Sequence, residues 1–252
     1  MKSVRNLSFV LCLLLLLPLL NACVEKNVYD EEHYSLTEPE LINQEANYPQ
    51  SDSSVDKTGT YAGHDYVDLG LPSGLLWATS NVGALSIEAA PGDYFAWGET
   101  SLKNDYSMST YKWYDSGFTK YVASSYYGLV DNRTVLELSD DVANALWGGS
   151  WRMPTKEEWT ELVNYTTKEW TSYGYIFTGK NGGRLFLPVT GYITDTTMTD
   201  LEGGYYWSSS LQEEYSELAW CVNFNSSHVY VGDFRRSYGG AVRPVYTLLT
   251  RK

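Results

Sequence analysis

The chain has 252 residues, 43% of them hydrophobic and 15% aromatic, with 31 acidic against 18 basic side chains and a formal net charge of −13. That length is enough for a domain with a core of its own. So acidic a chain repels phosphate backbones, which excludes nucleic acid as an expected partner, and it offers no basic patch for anionic lipid.

In chain order, the first element is a targeting segment. Lys2 and Arg5 precede an apolar run from Leu7 to Leu20, shorter than the roughly 20 residues a bilayer span needs. The run ends at Leu20-Asn21-Ala22-Cys23, which resembles the bacterial lipobox, where cleavage before a cysteine is followed by its acylation. Residues 1–22 are therefore expected to be a lipoprotein signal peptide and Cys23 the lipidation site, with palmitate among its acyl chains. Each buried methylene contributes about 0.8 kcal/mol to such an anchor. The expected localisation is the cell envelope, as an outer-membrane lipoprotein that can be displayed at the cell surface. The membrane is then a partner through the anchor alone.

Three cysteines are present. Cys12 leaves with the signal peptide and Cys23 is taken by lipid, so Cys221 has no partner and no intrachain disulfide is expected. Its setting in "LAWCVNF" predicts a buried, inert thiol.

Residues 23–60 read as an acidic flexible tether, too poor in apolar residues to offset chain entropy. Residues 61–252 read as one domain, dense in glycine, tryptophan and tyrosine, with no fixed-period repeat. "HDYVDLG" and "GLLWATSN" flank "LPSG" as a hairpin, and "DYFAWGE" reads as a short strand. "SDDVANALWGG" reads as a helix capped by Ser139, with Asp140 and Asp141 at its positive end and Gly148 closing it. Val142, Ala145 and Leu146 would form its inner face.

In "GGSWRMPTKEEWTELV", Thr155 and Glu158 have the spacing of a capping box, and Trp159, Leu162 and Val163 share one helical face. Glu157 and Glu158 are thus read as residues that start a helix rather than as an acid–base pair. Asn181-Gly182 supplies the positive φ angles of a hairpin inside "GYIFTGKNGGRLFLPVTGY". "LAWCVNF" and "HVYVGDF" form another hairpin, and "AVRPVYTL" closes the domain. Pro188 and Pro244 are expected at strand ends or edges.

The blocks "GHDYVDLGLPSGLLWATSNVGA", "DYFAWGET", "WGGSWRMPTKEEWTEL", "LFLPVTGY", "YYWSSS" and "AVRPV" resemble, in order, those of the Fibrobacter succinogenes major paralogous domain family. That family is common in lipid-anchored proteins of Bacteroides-like bacteria. The resemblance implies an α+β, C-type-lectin-like domain, with two short helices packed on twisted antiparallel sheets and long loops. It is also similar to formylglycine-generating enzymes in the Arg-x-Pro-Thr-x-x-Glu-Trp motif, matched by Arg152, Pro154, Thr155, Glu158 and Trp159. Those enzymes need late cysteines, and Cys221 alone does not carry that activity over. The Glu-Pro-Asn or Gln-Pro-Asp loop and Trp-Asn-Asp triplet of calcium-binding lectins are absent from the domain. Relatives often carry cysteines near Ser80 and Tyr165, where this chain has none.

Trp151, Arg152, Thr155, Glu158, Trp159, Trp207 and Arg243 fall in the shared blocks and are assigned structural roles. His64 and His228 lack zinc-ligand spacing, and no metal or cofactor is expected. No nucleophile elbow or P-loop occurs, and no catalytic residue is assigned. Between the blocks, residues 106–129 carry eight aromatic rings without clean periodicity. Either they fold onto the domain, or part of the loop forms a recognition surface, with Tyr111, Trp113 and Tyr114 as candidate ligand contacts. The expected function is non-catalytic recognition of glycan or protein. The alternatives are a structural or tip component of a surface assembly and an enzyme of unknown reaction.

Overall fold

Two strands open the fold. β1 (Thr58–Tyr61) and β2 (His64–Asp68) pair across Ala62-Gly63, whose φ angles of 48° and 84° suit a two-residue hairpin turn. The computed structural model describes residues 57–84 and 91–247. All described residues lie in one compact unit. The signal segment, Cys23 and the tether up to residue 56 lie outside the described residues. Residues 58–60, read from sequence as tether, belong to the sheet.

β3 (Leu76–Ala78) pairs antiparallel with β2, as the "LPSG" turn predicts. Its other edge takes β12 (Val245–Tyr246), so strands from the two ends of the domain form the outer edges of one β1-β2-β3-β12 sheet. β4 (Thr167–Thr171), β5 (Gly174–Thr178) and β6 (Arg184–Pro188) form a second sheet. β7 (Tyr192–Thr194) pairs with β8 (Thr197–Thr199). β9 (Gly204–Leu211), β10 (Leu218–Asn225) and β11 (His228–Arg235) form the longest sheet, in the order β11-β10-β9. The result is an α+β fold made mainly of antiparallel β-structure.

The β5–β6 turn differs from expectation in detail. Gly182 has φ +83°, but Asn181 does not adopt a positive φ. Its amide instead accepts from Gly183 N at 2.8 Å and donates to the Asp68 carbonyl at 2.9 Å, tying the turn to β2. Pro188 ends β6, and Pro244 immediately precedes β12.

"DYFAWGE" is not a strand. Phe95 makes a single bridge to Gly240, and Phe95, Ala96 and Trp97 are all buried in irregular backbone. A fully buried strand alternates its neighbours across two layers. Here three consecutive apolar side chains are satisfied because the loop is enclosed on every side.

Two α-helices are present among the described residues. α1 (Val142–Trp147) is capped by Asp141, not Ser139; the carboxylate accepts from Ala143 N at 2.9 Å and Asn144 N at 3.2 Å. Ser139 falls in a 3-10 turn over Leu138–Asp140. A helix so short presents only Val142 and Ala143 inward. Ala145 and Leu146 are exposed, contrary to the expected face. Gly148, at φ 68°, ends α1 as expected.

α2 (Lys156–Tyr165) buries Trp159 and Leu162 against β9, β10 and β11. Its core partners include Trp77, Phe177, Leu187, Tyr206, Val222 and Phe224. Truncating Leu162 to Ala there would cost about 3 kcal/mol. Trp159 Nε1 donates to the Trp207 carbonyl, Trp207 Nε1 to Phe95 O, and Trp97 Nε1 to Ser208 O. The indoles thus join β9 to α2 and to the irregular segment, burying their rings without orphaning their N–H groups.

Candidate functional site

The opening of α2 is a rigid platform. Thr155 Oγ1 accepts from Glu158 N, and Glu158 Oε2 accepts from Thr155 N at 2.8 Å, so the capping box forms. The same carboxylate takes both Arg152 Nη atoms, at 2.7 and 2.5 Å. Arg152 also makes a backbone bridge to Val245. Both Glu158 oxygens are thus engaged in holding the start of the helix. Trp151 is fully buried, with Nε1 donating to Tyr61 O at 3.0 Å. His64 stacks on Trp147 with centroids 3.6 Å apart, and no hydrogen bond joins it to Asp65. Burial lowers the His64 pKa, and the Asp65 charge opposes the shift.

Two buried arginines hold the irregular segments. Arg243 Nε donates to Asn81 Oδ1 at 2.7 Å, and Nη1 donates to the carbonyls of Ala78, Thr79 and Phe186. Arg236, which the sequence reading passed over, is also fully buried. It donates to Tyr111 Oη and to the carbonyls of Lys120, Tyr121 and Ser216. Its guanidinium lies within 5.3 Å of the Trp97, Tyr111 and Phe118 ring centroids.

That network decides the placement of the aromatic loop. Tyr106, Tyr111, Phe118 and Tyr121 are buried. Tyr111 donates to the Trp97 carbonyl and accepts from Arg236. It offers no surface to a ligand and leaves the candidate set. Trp113 is half-buried, donates to Gly98 O at 3.1 Å, and carries the Lys112 ammonium 4.1 Å from its ring centroid. Tyr114 is exposed and packs edge-on against Phe118. The three residues thus do not present one continuous face. Four of the loop's eight rings, Tyr106, Tyr111, Phe118 and Tyr121, are domain core, while Tyr114 and Tyr126 are exposed.

An open groove of about 570 Å³ lies at the start of α2. Lys156 and Glu157 line it from the helix, Gln212, Glu213 and Glu214 from the turn after β9, and Trp220 from β10. Its outer wall, residues 134–136, is held by Leu211 N donating to Thr134 O and Leu136 N donating to Ser209 O. Ser210 Oγ accepts from Lys156 N, which fixes the helix start to β9.

Two side chains there keep an N–H group with no protein acceptor among the described residues. Gln212 is only 8% exposed, and its Oε1 accepts from Glu214 N at 2.8 Å and Tyr215 N at 3.3 Å. Those two donors fix which end of the amide is the carbonyl. Gln212 lines the groove, and its NH2 end has no hydrogen-bond partner among the described residues. Trp220 is half-buried and, unlike Trp97, Trp113, Trp151, Trp159 and Trp207, donates to no protein carbonyl. Its ring instead carries the Lys156 ammonium 3.5 Å from the centroid.

One signal for this site is legible in the sequence, the helix-start motif that places Lys156 and Glu157. Trp220 looked like any alternating strand residue, and Gln212 looked like a loop polar. Among the described residues, no group of three or more His, Cys, Asp or Glu side chains is arranged to hold a metal ion. Cys221 is buried, and burial pushes its thiol up to about 12, too high for a nucleophile near neutral pH.

Fold and groove together define a mainly-β α+β domain with an open groove at the start of α2. Residues 71–246 match the family model described as the Lcl C-terminal domain. The chain belongs to that family, which agrees with the resemblance to the Fibrobacter major paralogous domain read from the sequence blocks. The match is consistent with a surface or binding-type domain. No curated protein matches the chain. No solved structure matches it either.

Proposed function

We propose that this protein is a lipid-anchored envelope protein, held in the outer membrane through Cys23, whose domain recognises a glycan or a polypeptide without catalysing a reaction on it. The domain is proposed to be C-type-lectin-like. The sheet shared by β1 and β12, the two short helices among the described residues and the long irregular segments support that arrangement.

The observation that carries the recognition reading is the groove. Gln212, a buried amide fixed in orientation by two backbone donors, and the half-buried Trp220 indole line the same groove. Side chains held this way are already ordered before a ligand arrives, so binding costs little conformational entropy. The Arg152–Glu158–Thr155 platform directly behind holds Lys156 and Glu157 in place.

The test is an array of glycans and peptides probed with the full chain and with Trp220→Ala. At least one array ligand should bind the native chain and lose most of its signal with the variant. Signals unchanged by Trp220→Ala would refute the groove as the recognition site. For the anchor, labelling cells with radioactive palmitate should mark the native chain and leave Cys23→Ala unlabelled.

A further inference from the structure

We infer that the groove takes a cationic side chain, a lysine or arginine of a partner polypeptide, which rests on the Trp220 ring in place of the chain's own Lys156. This rests on the reading of the groove as a recognition site and names its ligand class.

The reasoning begins with where Lys156 goes. Its ammonium sits 3.5 Å from the Trp220 centroid. It makes no ion pair among the described residues, although Glu157, Glu213 and Glu214 line the same groove. Those three carboxylates likewise have no ion-pair partner among the described residues. The groove therefore combines three unneutralised acids with an aromatic face that already holds a cation.

A ring quadrupole attracts an ammonium or guanidinium, and the attraction strengthens as water is excluded. A neutral sugar stacking on Trp220 would have to displace the Lys156 charge without replacing it, and would leave the carboxylates uncompensated. A cationic side chain replaces like with like and adds neutralisation of the rim.

The Gln212 NH2 group supplies the second contact. It is a fixed donor, suited to a backbone carbonyl of the same polypeptide segment, which a free amine or metal ion would not provide. The chain's formal charge of −13 draws a basic segment toward the domain as a whole. Lys156 acts in this account as a resident competitor that keeps the ring covered until a ligand cation displaces it.

The experiment measures binding of the blocked peptide acetyl-Gly-Lys-Gly-Lys-Gly-amide to the full chain in detergent, by titration calorimetry. A second peptide carries norleucine at both lysine positions. Four proteins are compared: native, Lys156→Ala, Lys180→Ala and Trp220→Ala. Lys180 is exposed and lies outside the groove, so its variant reproduces the charge change without uncovering the ring.

The lysine peptide should bind and the norleucine peptide should not. Lys156→Ala should tighten binding about two- to five-fold beyond Lys180→Ala, the size of one solvent-accessible cation–π contact. Trp220→Ala should weaken it by at least as much. Equal effects of Lys156→Ala and Lys180→Ala would overturn the inference, because they would reduce the affinity to overall charge. So would binding of the norleucine peptide. Lys156→Ala retains the backbone contacts of its first-turn position, so the comparison stands even if Trp220→Ala does not fold. If a neutral glycan binds in a Trp220-dependent way while the lysine peptide does not bind, recognition at the groove stands and the cationic ligand falls. If nothing binds in a Trp220-dependent way, both fall.

Discussion

Replacing Arg236 by methionine and, separately, by lysine tests how the irregular half of the domain is held. The guanidinium is fully buried and donates four hydrogen bonds, to Tyr111 Oη and to the carbonyls of Lys120, Tyr121 and Ser216. Among the described residues, no carboxylate lies within ion-pair distance of it. Methionine keeps much of the volume and removes the charge. It leaves four acceptors short of a donor, at about 1 kcal/mol each, and recovers part of the cost of burying the cation. The net loss should be about 2–4 kcal/mol, or a fall in Tm of about 5–15 °C for a domain of this size. Lysine keeps the buried charge but has three donors on one atom, which cannot reproduce a planar fork with acceptors on several sides. It should therefore be less stable than methionine. Denaturant melts followed by tryptophan fluorescence give the order directly, and limited proteolysis should cut within residues 106–129 sooner in both variants. A lysine variant as stable as the native chain would refute the reasoning, because charge alone would then suffice.

Other expectations follow from the same contacts. Thr155→Ala should cost about 1 kcal/mol, since it removes one half of a formed capping box; an unchanged denaturation midpoint would contradict that. Asp141 is buried under Met153 and α1, and burial raises its carboxyl to about 6 against the opposing backbone donors. A carboxyl raised on folding holds its proton more tightly in the native state. Its stabilising contribution is thus complete below the unfolded value near 4 and is lost as pH rises through about 6. Between pH 7 and pH 5 the native chain should gain stability relative to Asp141→Asn; parallel stability curves would contradict the assignment. Cys221 should resist iodoacetamide at pH 8 in the folded protein and react on unfolding.

The parts of the fold legible in the sequence are those set by local chemistry. The Thr155–Glu158 box is a four-residue pattern, and the structure forms it as read. The β5–β6 and β10–β11 hairpins follow from alternation around short turns. β4 was missed because "TKEWT" is largely exposed and polar, with no buried alternation to find. Arg236 was missed because "FRRSYGG" looks like surface charge. Its burial depends on rings and carbonyls more than 100 residues earlier in the chain. The same non-local contacts turned Tyr111 from a candidate ligand contact into core. A tyrosine can be buried as readily as phenylalanine once its hydroxyl has a partner. The groove was illegible for the same reason: Lys156, Gln212 and Trp220 meet only after α2 docks on β9 and β10.

Hydrogen-exchange footprinting of the full chain with its strongest array ligand addresses the site of recognition most directly. Slowed exchange should concentrate at residues 156–158, 210–215 and 218–221, with 111–127 unchanged. Protection confined to 111–127 would place recognition on the aromatic loop and contradict the groove.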